Sequence, residues 1–158
     1  MLLEFTPGLV RTTPFDPEMA ALADRHYSRR TPGARQFCYS GRKIVLRDAA
    51  GTVLFVWMFP DPALRMDSQT GYNCAIFRNE SARLSSEIIL EAETFAVARW
   101  GPDRAYTFID PKKIRSSNPG CCFLKAGWKH AGWSKRGKRI LEKLLESVRE
   151  TPDPHTPL

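Results

Sequence analysis

The longest apolar run in this chain, residues 52–59 (Thr-Val-Leu-Phe-Val-Trp-Met-Phe), has the length of one β-strand and falls far short of the roughly 20 residues of a membrane span. Residues 37–46, the turn Asp48-Ala49-Ala50-Gly51 and residues 53–59 together predict a β-hairpin. A polar connection over 60–71 leads to a third strand, 72–77, extendable to Arg78. Residues 83–100 then switch to helical spacing: Leu84, Ile88, Ala92, Phe95 and Ala96 recur on one side, Ser85-Ser86-Glu87 stand at the start, and Gly101-Pro102 stops the run. Residues 106–109 read as a short buried strand, and Ser117-Asn118-Pro119 can open another helix through about Ala126.

Near the N-terminus, Asp16-Pro17-Glu18 supplies an N-cap, a proline at the first helical position and an acid in the first turn. Met19, Leu22 and Ala23 give that helix an apolar stripe, and it runs to about His26. The C-terminal part is ambiguous. Ile140, Leu141, Leu144, Leu145 and Val148 fit a helix, whereas residues 128–133 and 139–141 can pair around Lys135-Arg136-Gly137. After residue 150, three prolines in eight residues mark a loose tail, 151–158. The order predicts one α/β domain over residues 1–150, with antiparallel strands, a strand–helix–strand crossover, and helices packed on a mixed sheet.

Composition narrows the class. With 158 residues, 42% hydrophobic and 26% charged, the chain has the make-up of a soluble globular domain. The N-terminal Met-Leu-Leu-Glu-Phe-Thr-Pro lacks the basic and apolar regions of a secretion signal, so the expected compartment is the cytoplasm and no membrane is expected as a partner. Cys38, Cys74, Cys121 and Cys122 form no Cys-x-x-Cys pair, and with His26, His130 and His155 scattered no metal site is read from spacing.

Charge adds more. Sixteen of the 24 Lys/Arg lie in residues 25–47 and 112–139, two stretches without a single Asp or Glu. Such segregation predicts one cationic wall built from two distant segments and a polyanionic partner, although a solvated basic face with no partner has the same composition.

Residues 72–80, 85–100, 104–110 and 118–128, with Asn118 and the pair Gly127-Trp128, resemble the second half of the GNAT acyltransferase fold. That resemblance implies an α+β fold with a mixed, mostly antiparallel central sheet and helices on both faces. It also implies a helix N-terminus that receives a cofactor pyrophosphate, with acetyl-CoA or another acyl donor as cofactor. Arg78, Asn79, Arg83, Ser85, Ser86 and Asn118 are then the expected cofactor contacts. The connection of residues 78–86 contains no glycine and carries Glu80, which speaks against close approach of a pyrophosphate.

A narrower likeness involves His26-Tyr27-Ser28-Arg29, residues 73–80 (Asn-Cys-Ala-Ile-Phe-Arg-Asn-Glu), Leu84-Ser85-Ser86-Glu87, and residues 110–120 (Asp-Pro-Lys-Lys-Ile-Arg-Ser-Ser-Asn-Pro-Gly). These are similar to the Mom-like, phage-encoded DNA modification proteins, over roughly residues 24–142. The resemblance implies a transferase that places an acetamide-type group on adenine N6 and shields phage DNA from restriction in the host cytoplasm. Iron has been associated with that group.

Adenine N6 is a poor nucleophile, so a catalyst must orient it, remove a proton and stabilise charge on the donor. Asp110 is the first candidate for base or orienter, or else a turn-capping residue before Pro111. His26 reads as base, hydrogen-bond donor or iron ligand, or as a helix-end packing residue. Tyr27 can stack on a base or pack. Arg78 can clamp a carboxylate or phosphate, or form a surface ion pair. Ser85 and Ser86 can hold an oxyanion or cap the helix. Arg29, Arg30, Arg35, Lys112, Lys113 and Arg115 would line a track for double-stranded DNA. Tyr27, Trp57 and Trp128 are candidate walls for an extruded base, and equally core residues. The alternatives are a GNAT N-acyltransferase that uses acetyl-CoA on a small amine or protein, and a non-catalytic DNA-binding protein. A homodimer is left open.

Overall fold

The computed structural model describes residues 8–26, 37–38, 41–61, 63, 68–112 and 120–147. Its elements are β1 (Val10–Thr12), α1 (Pro17–Asp24), β2 (Arg42–Arg47), β3 (Val53–Phe59), β4 (Tyr72–Asn79), α2 (Ser85–Trp100), β5 (Asp103–Ile109), α3 (Cys121–Lys125), β6 (Lys129–Trp133) and β7 (Arg139–Leu145). The strands form one sheet in the order β1-β2-β3-β4-β5-β7-β6. Every neighbouring pair is antiparallel except β4 and β5, which run parallel across the α2 crossover.

The unbroken apolar run becomes β3 because that strand is central and covered on both faces. Val53, Phe55 and Trp57 point with Ile44 and Leu46 of β2 and Tyr72 and Cys74 of β4 toward Ile88, Ile89, Ala92 and Ala96 of α2. Leu54, Val56 and Met58 point the other way, with Val45 and Ile76, toward Met19, Leu22 and Ala23 of α1. One helix layer therefore covers each face, with α3 joining α2 through Phe123. Trp57 fixes α2 against the sheet by donating its indole N–H to the Ala92 carbonyl at 2.8 Å. Lys143 of β7 pairs with the buried carboxylate of Glu93 at 2.7 Å, which ties the same helix to the far half of the sheet.

The predicted caps and turns have physical counterparts. Asp16 accepts from the amides of Glu18 and Met19, with Pro17 opening α1. Asp48 accepts from the amides of Thr52 and Val53 and closes the β2–β3 turn, where Gly51 takes φ +79°. Three expectations needed correction. The first strand of the hairpin occupies Arg42–Arg47 rather than residues 37–46, with Phe37 packing on α1 from outside the strand. The three-residue β1, paired to β2, was not read from the sequence. The C-terminal ambiguity resolves to strands: β7 pairs along its whole length with β5, and β6 returns beside it. Leu144, 74% exposed, is the residue that made a helical stripe look continuous.

β4 and β5 meet where the chain has no side chain to intrude. Gly71, at φ +93°, lies so close to β5 that an added Cβ would stand 1.8 Å from the Arg104 carbonyl oxygen. Gly71→Ala should therefore push β4 off β5 and lower the unfolding free energy by at least ~2 kcal/mol in urea titrations. Wild-type stability for this variant would refute the account of the seam.

Candidate active site

β4 and β5 pair at only two positions, Tyr72 with Ala105 and Asn73 with Tyr106. One further contact closes the seam, Thr107 Oγ1 donating to the Cys74 carbonyl at 2.9 Å. Beyond it no ladder pairing joins the strands among the described residues, and the sheet opens into a wedge. Its two arms end at Arg78-Asn79 on β4 and Ile109-Asp110 on β5. Backbone amides and carbonyls freed in this way are ready hydrogen-bonding groups for a bound molecule. Near the apex lie Cys74 and Cys122, whose thiols burial pushes up. Neither is a thiolate nucleophile at neutral pH.

The β4 arm is organised by one amide. Asn79 Oδ1 accepts from the Ser81 amide at 2.9 Å and the Ser81 hydroxyl at 2.5 Å, while Nδ2 donates to the Arg83 carbonyl at 2.8 Å and Ser85 Oγ at 3.0 Å. This explains how the connection to α2 turns without glycine: a side chain supplies the bonds that would otherwise be left open. It also corrects two expectations. Asn79 is saturated by the loop itself rather than presented to a cofactor. Ser85 and Ser86 do not cap α2; Leu84 occupies that position without a side-chain bond, and the serines form the first turn. The Ser85 and Ser86 amides have no backbone acceptor among the described residues.

Arg78 is likewise engaged. Its Nε lies 2.5 Å from Glu80 Oε2, and Nη1 donates to the Arg25 carbonyl at 2.7 Å. Arg25 grips the same carboxylate through Nε and Nη2 at 2.8 and 3.0 Å. Two guanidiniums hold Glu80 down to about 2. The charge that seemed to oppose phosphate is thus neutralised locally, and Arg78 closes an α1–β4 lock instead of standing as a free clamp. Arg83 is drawn along α2, with Nη1 3.6 Å from Glu91 Oε1 and no hydrogen-bond partner for that buried nitrogen. It does not reach toward a pyrophosphate position at the helix start.

His26 follows α1 and sits beside this lock. Burial, and then the positive charge of Arg78, lower its imidazole to about 4, so it is neutral at physiological pH. On the other arm, Asp110 Oδ1 accepts from the Lys112 amide at 3.0 Å. The turn-capping reading is therefore correct for one oxygen, and Oδ2 has no hydrogen-bond partner among the described residues. His26, Arg78, Ser85 and Asp110 all belong to the open end of the wedge. Lys112 is exposed there. Tyr27, Arg29, Arg30, Arg35, Lys113, Arg115 and Asn118 lie outside the described residues.

Trp57 and Trp128 are core residues and not walls of a base pocket: both are buried, stacked at 6.2 Å, with Trp128 Nε1 3.3 Å from Glu93 Oε2. Only parts of the expected cationic wall fall among the described residues. Arg42–Arg47 on β2 and Lys129–Arg139 around β6 are five strand steps apart, roughly 24 Å. Arg47 is moreover paired with Asp16 at 2.9 Å and Glu18 at 3.4 Å. No three His, Cys, Asp or Glu side chains converge as a metal site among the described residues.

No protein-family model and no curated protein sequence matches the chain. Solved structures do. An aminoglycoside acetyltransferase, AAC(6')-Ib, in complex with coenzyme A and kanamycin, superposes with a TM-score of 0.61 at 13% identity, over 88% of this chain and 95% of that one. A protein described as histone acetyltransferase HPA2 and related acetyltransferase, from Corynebacterium glutamicum, gives 0.55 at 13% identity, over 92% and 100%. The fold is that of the GNAT acetyltransferases. The expected mixed, mostly antiparallel sheet with helices on both faces is what the chain forms.

Sequence reading missed the Arg25–Glu80 pairing, because the two residues are 55 positions apart. The only signal was an acid placed where an anion site was expected. Both lowered groups act in one direction on stability. The unfolded chain binds the extra proton of His26 between about pH 6.5 and 4, and that of Glu80 between about 4.5 and 2. Unfolding free energy should therefore fall continuously as pH drops through these windows. His26→Gln should flatten the upper window and Glu80→Gln the lower, as read from urea midpoints against pH. Parallel wild-type and variant curves would contradict this assignment.

Proposed function

We propose that this chain is a Mom-like transferase that places an acetamide-type (carbamoylmethyl) group on the N6 amino group of adenine in DNA. The observation supporting it is the open wedge of an acetyltransferase fold with a neutral imidazole beside Arg78 of the β4 arm and a carboxylate at the end of the β5 arm. Residues 111–141, which continue from the carboxylate arm, contain no acid at all, a composition suited to a polyanionic acceptor.

The chemistry asked of these groups is modest. The N6 lone pair forms the new C–N bond while the donor's bond to its leaving group breaks, with the electron pair departing on that group. As nitrogen bonds to carbon its remaining protons become strongly acidic, so a base of low basicity is sufficient. Asp110 Oδ2 or the neutral His26 imidazole takes that proton. The amides of Ser85 and Ser86 at the α2 N-terminus stabilise negative charge on the donor. An acyl-CoA fits this arrangement to the extent that those two amides and a neutralised Glu80 tolerate a pyrophosphate. It would supply an activated thioester carbonyl for amide formation, the chemistry of the N-acyltransferase reading below.

A second reading, an N-acyltransferase acting on a small amine with acetyl-CoA, is favoured by the neighbour that binds coenzyme A and kanamycin. Nucleoside analysis separates the two. DNA from bacteria expressing the chain, digested and examined by mass spectrometry, should contain a new adenosine species, reduced about 10²-fold or more by Asp110→Asn or His26→Ala. Unmodified adenosine from cells holding soluble, folded protein, together with saturable acetyl-CoA binding by calorimetry, would move the conclusion to the second reading.

A further inference from the structure

The β6–β7 hairpin forms the far edge of the sheet and carries a large aromatic side chain that the protein does not cover. Trp133 is 60% exposed, whereas Trp57 and Trp128 are buried and Trp100 stacks on Tyr72 at 5.5 Å. A register shift between His130 and Gly132 places His130 and Trp133 on one side of the strand, with ring centroids 5.5 Å apart. Arg139 donates from Nε to His130 Nδ1 at 3.0 Å and faces Trp133 across the ladder. An aromatic face is thereby held in place by an imidazole and a guanidinium, and among the described residues Trp133 belongs to neither buried core cluster.

The turn beyond it is cationic and well fixed. Ser134 and Gly137 close it through Ser134 N to Lys138 O at 2.8 Å, Gly137 N to Ser134 O at 3.0 Å, and Lys138 N to Ser134 Oγ at 3.0 Å. It presents Lys135, Arg136 and Lys138, and Lys129 is exposed at the start of β6. The register shift and these like charges disfavour edge-to-edge pairing with a second copy. Charge complementarity calls instead for a polyanion, and the exposed indole for one with π-faces. Arg139 is the ladder partner of Ile109, the residue before Asp110, so the cluster stands next to the carboxylate arm of the wedge.

We propose that the β6–β7 hairpin binds DNA, with Trp133 stacking on an unpaired base while Lys135, Arg136 and Lys138 hold the flanking phosphates. This rests on the preceding reading only for the choice of DNA as partner; it needs none of the chemistry. Stacking of this kind tolerates any base, so the surface would anchor the strand beside the wedge and leave selection of adenine to the site.

The test uses the full chain, a fluorescein-labelled single-stranded oligonucleotide and anisotropy at several salt concentrations. Trp133→Ala should weaken binding about 5- to 100-fold with the salt slope unchanged, and Trp133→Phe should restore most of it. The triple variant K135A/R136A/K138A should instead lower the slope of log K against log salt by about 2. Urea midpoints equal to wild type would show that these changes leave the fold intact. Unchanged affinity in Trp133→Ala overturns the proposal. So does binding to phosphatidylcholine–phosphatidylserine vesicles that depends on Trp133 when oligonucleotide binding does not. Absence of modified adenosine alongside Trp133-dependent oligonucleotide binding would refute the enzymatic reading alone.

Discussion

Two residue pairs and one threonine hydroxyl hold β4 to β5, and the molecule is arranged around the fact that this pairing goes no further. The parallel seam needs Gly71 at its base, because any side chain there would meet the backbone of Arg104. It also needs α2 pressed onto the sheet by the Trp57 and Lys143 contacts, so that the crossover cannot slide and re-register. Divergence beyond Cys74 is what creates a place for chemistry in an otherwise continuous sheet. Backbone groups that a complete ladder would satisfy remain for a ligand, and the first turn of α2 stands at the same end.

The electrostatics of that end are balanced locally. Arg25 and Arg78 both converge on Glu80, so an acid that would repel phosphate becomes a tie between α1 and β4. Burial, and then the positive charge of Arg78, keep His26 neutral. A charge pair thus helps to set the protonation state of the neighbouring imidazole. It also accounts for a glycine-free connection, since the Asn79 amide and the Glu80 lock together supply the constraint that a glycine-rich turn obtains from its backbone. Acid-free charge accumulates on the other side of the wedge, in the hairpin beyond Asp110, where no carboxylate answers it before Glu142.

How far the sequence could be read depends on the range of the forces involved. Strand β3, helix α2 and the Asp16 and Asp48 turns were legible because each is decided by neighbours within a few residues: apolar period, capping oxygen, turn glycine. The β1 strand was not, being three residues stabilised only by pairing with β2. The C-terminal segment satisfied two periods at once, and only the available edge of β5 made it a strand. At the site, Arg78 and Ser85 are joined through the connection that follows β4, and Asp110 follows β5. The roles expected of Asn79, Arg78 and Arg83 changed because each found a closer partner in its own loop or helix.

By itself the sequence determined the strand and helix periods, the caps, the segregation of charge and the residue types capable of acid–base work, all of which are local or compositional properties. The tertiary structure alone decided which of the described cations were neutralised, that Trp57 and Trp128 are core while Trp133 is exposed, and that the sheet opens beyond Cys74. Those outcomes depend on contacts between residues tens of positions apart, and on a competition for partners that no single segment encodes.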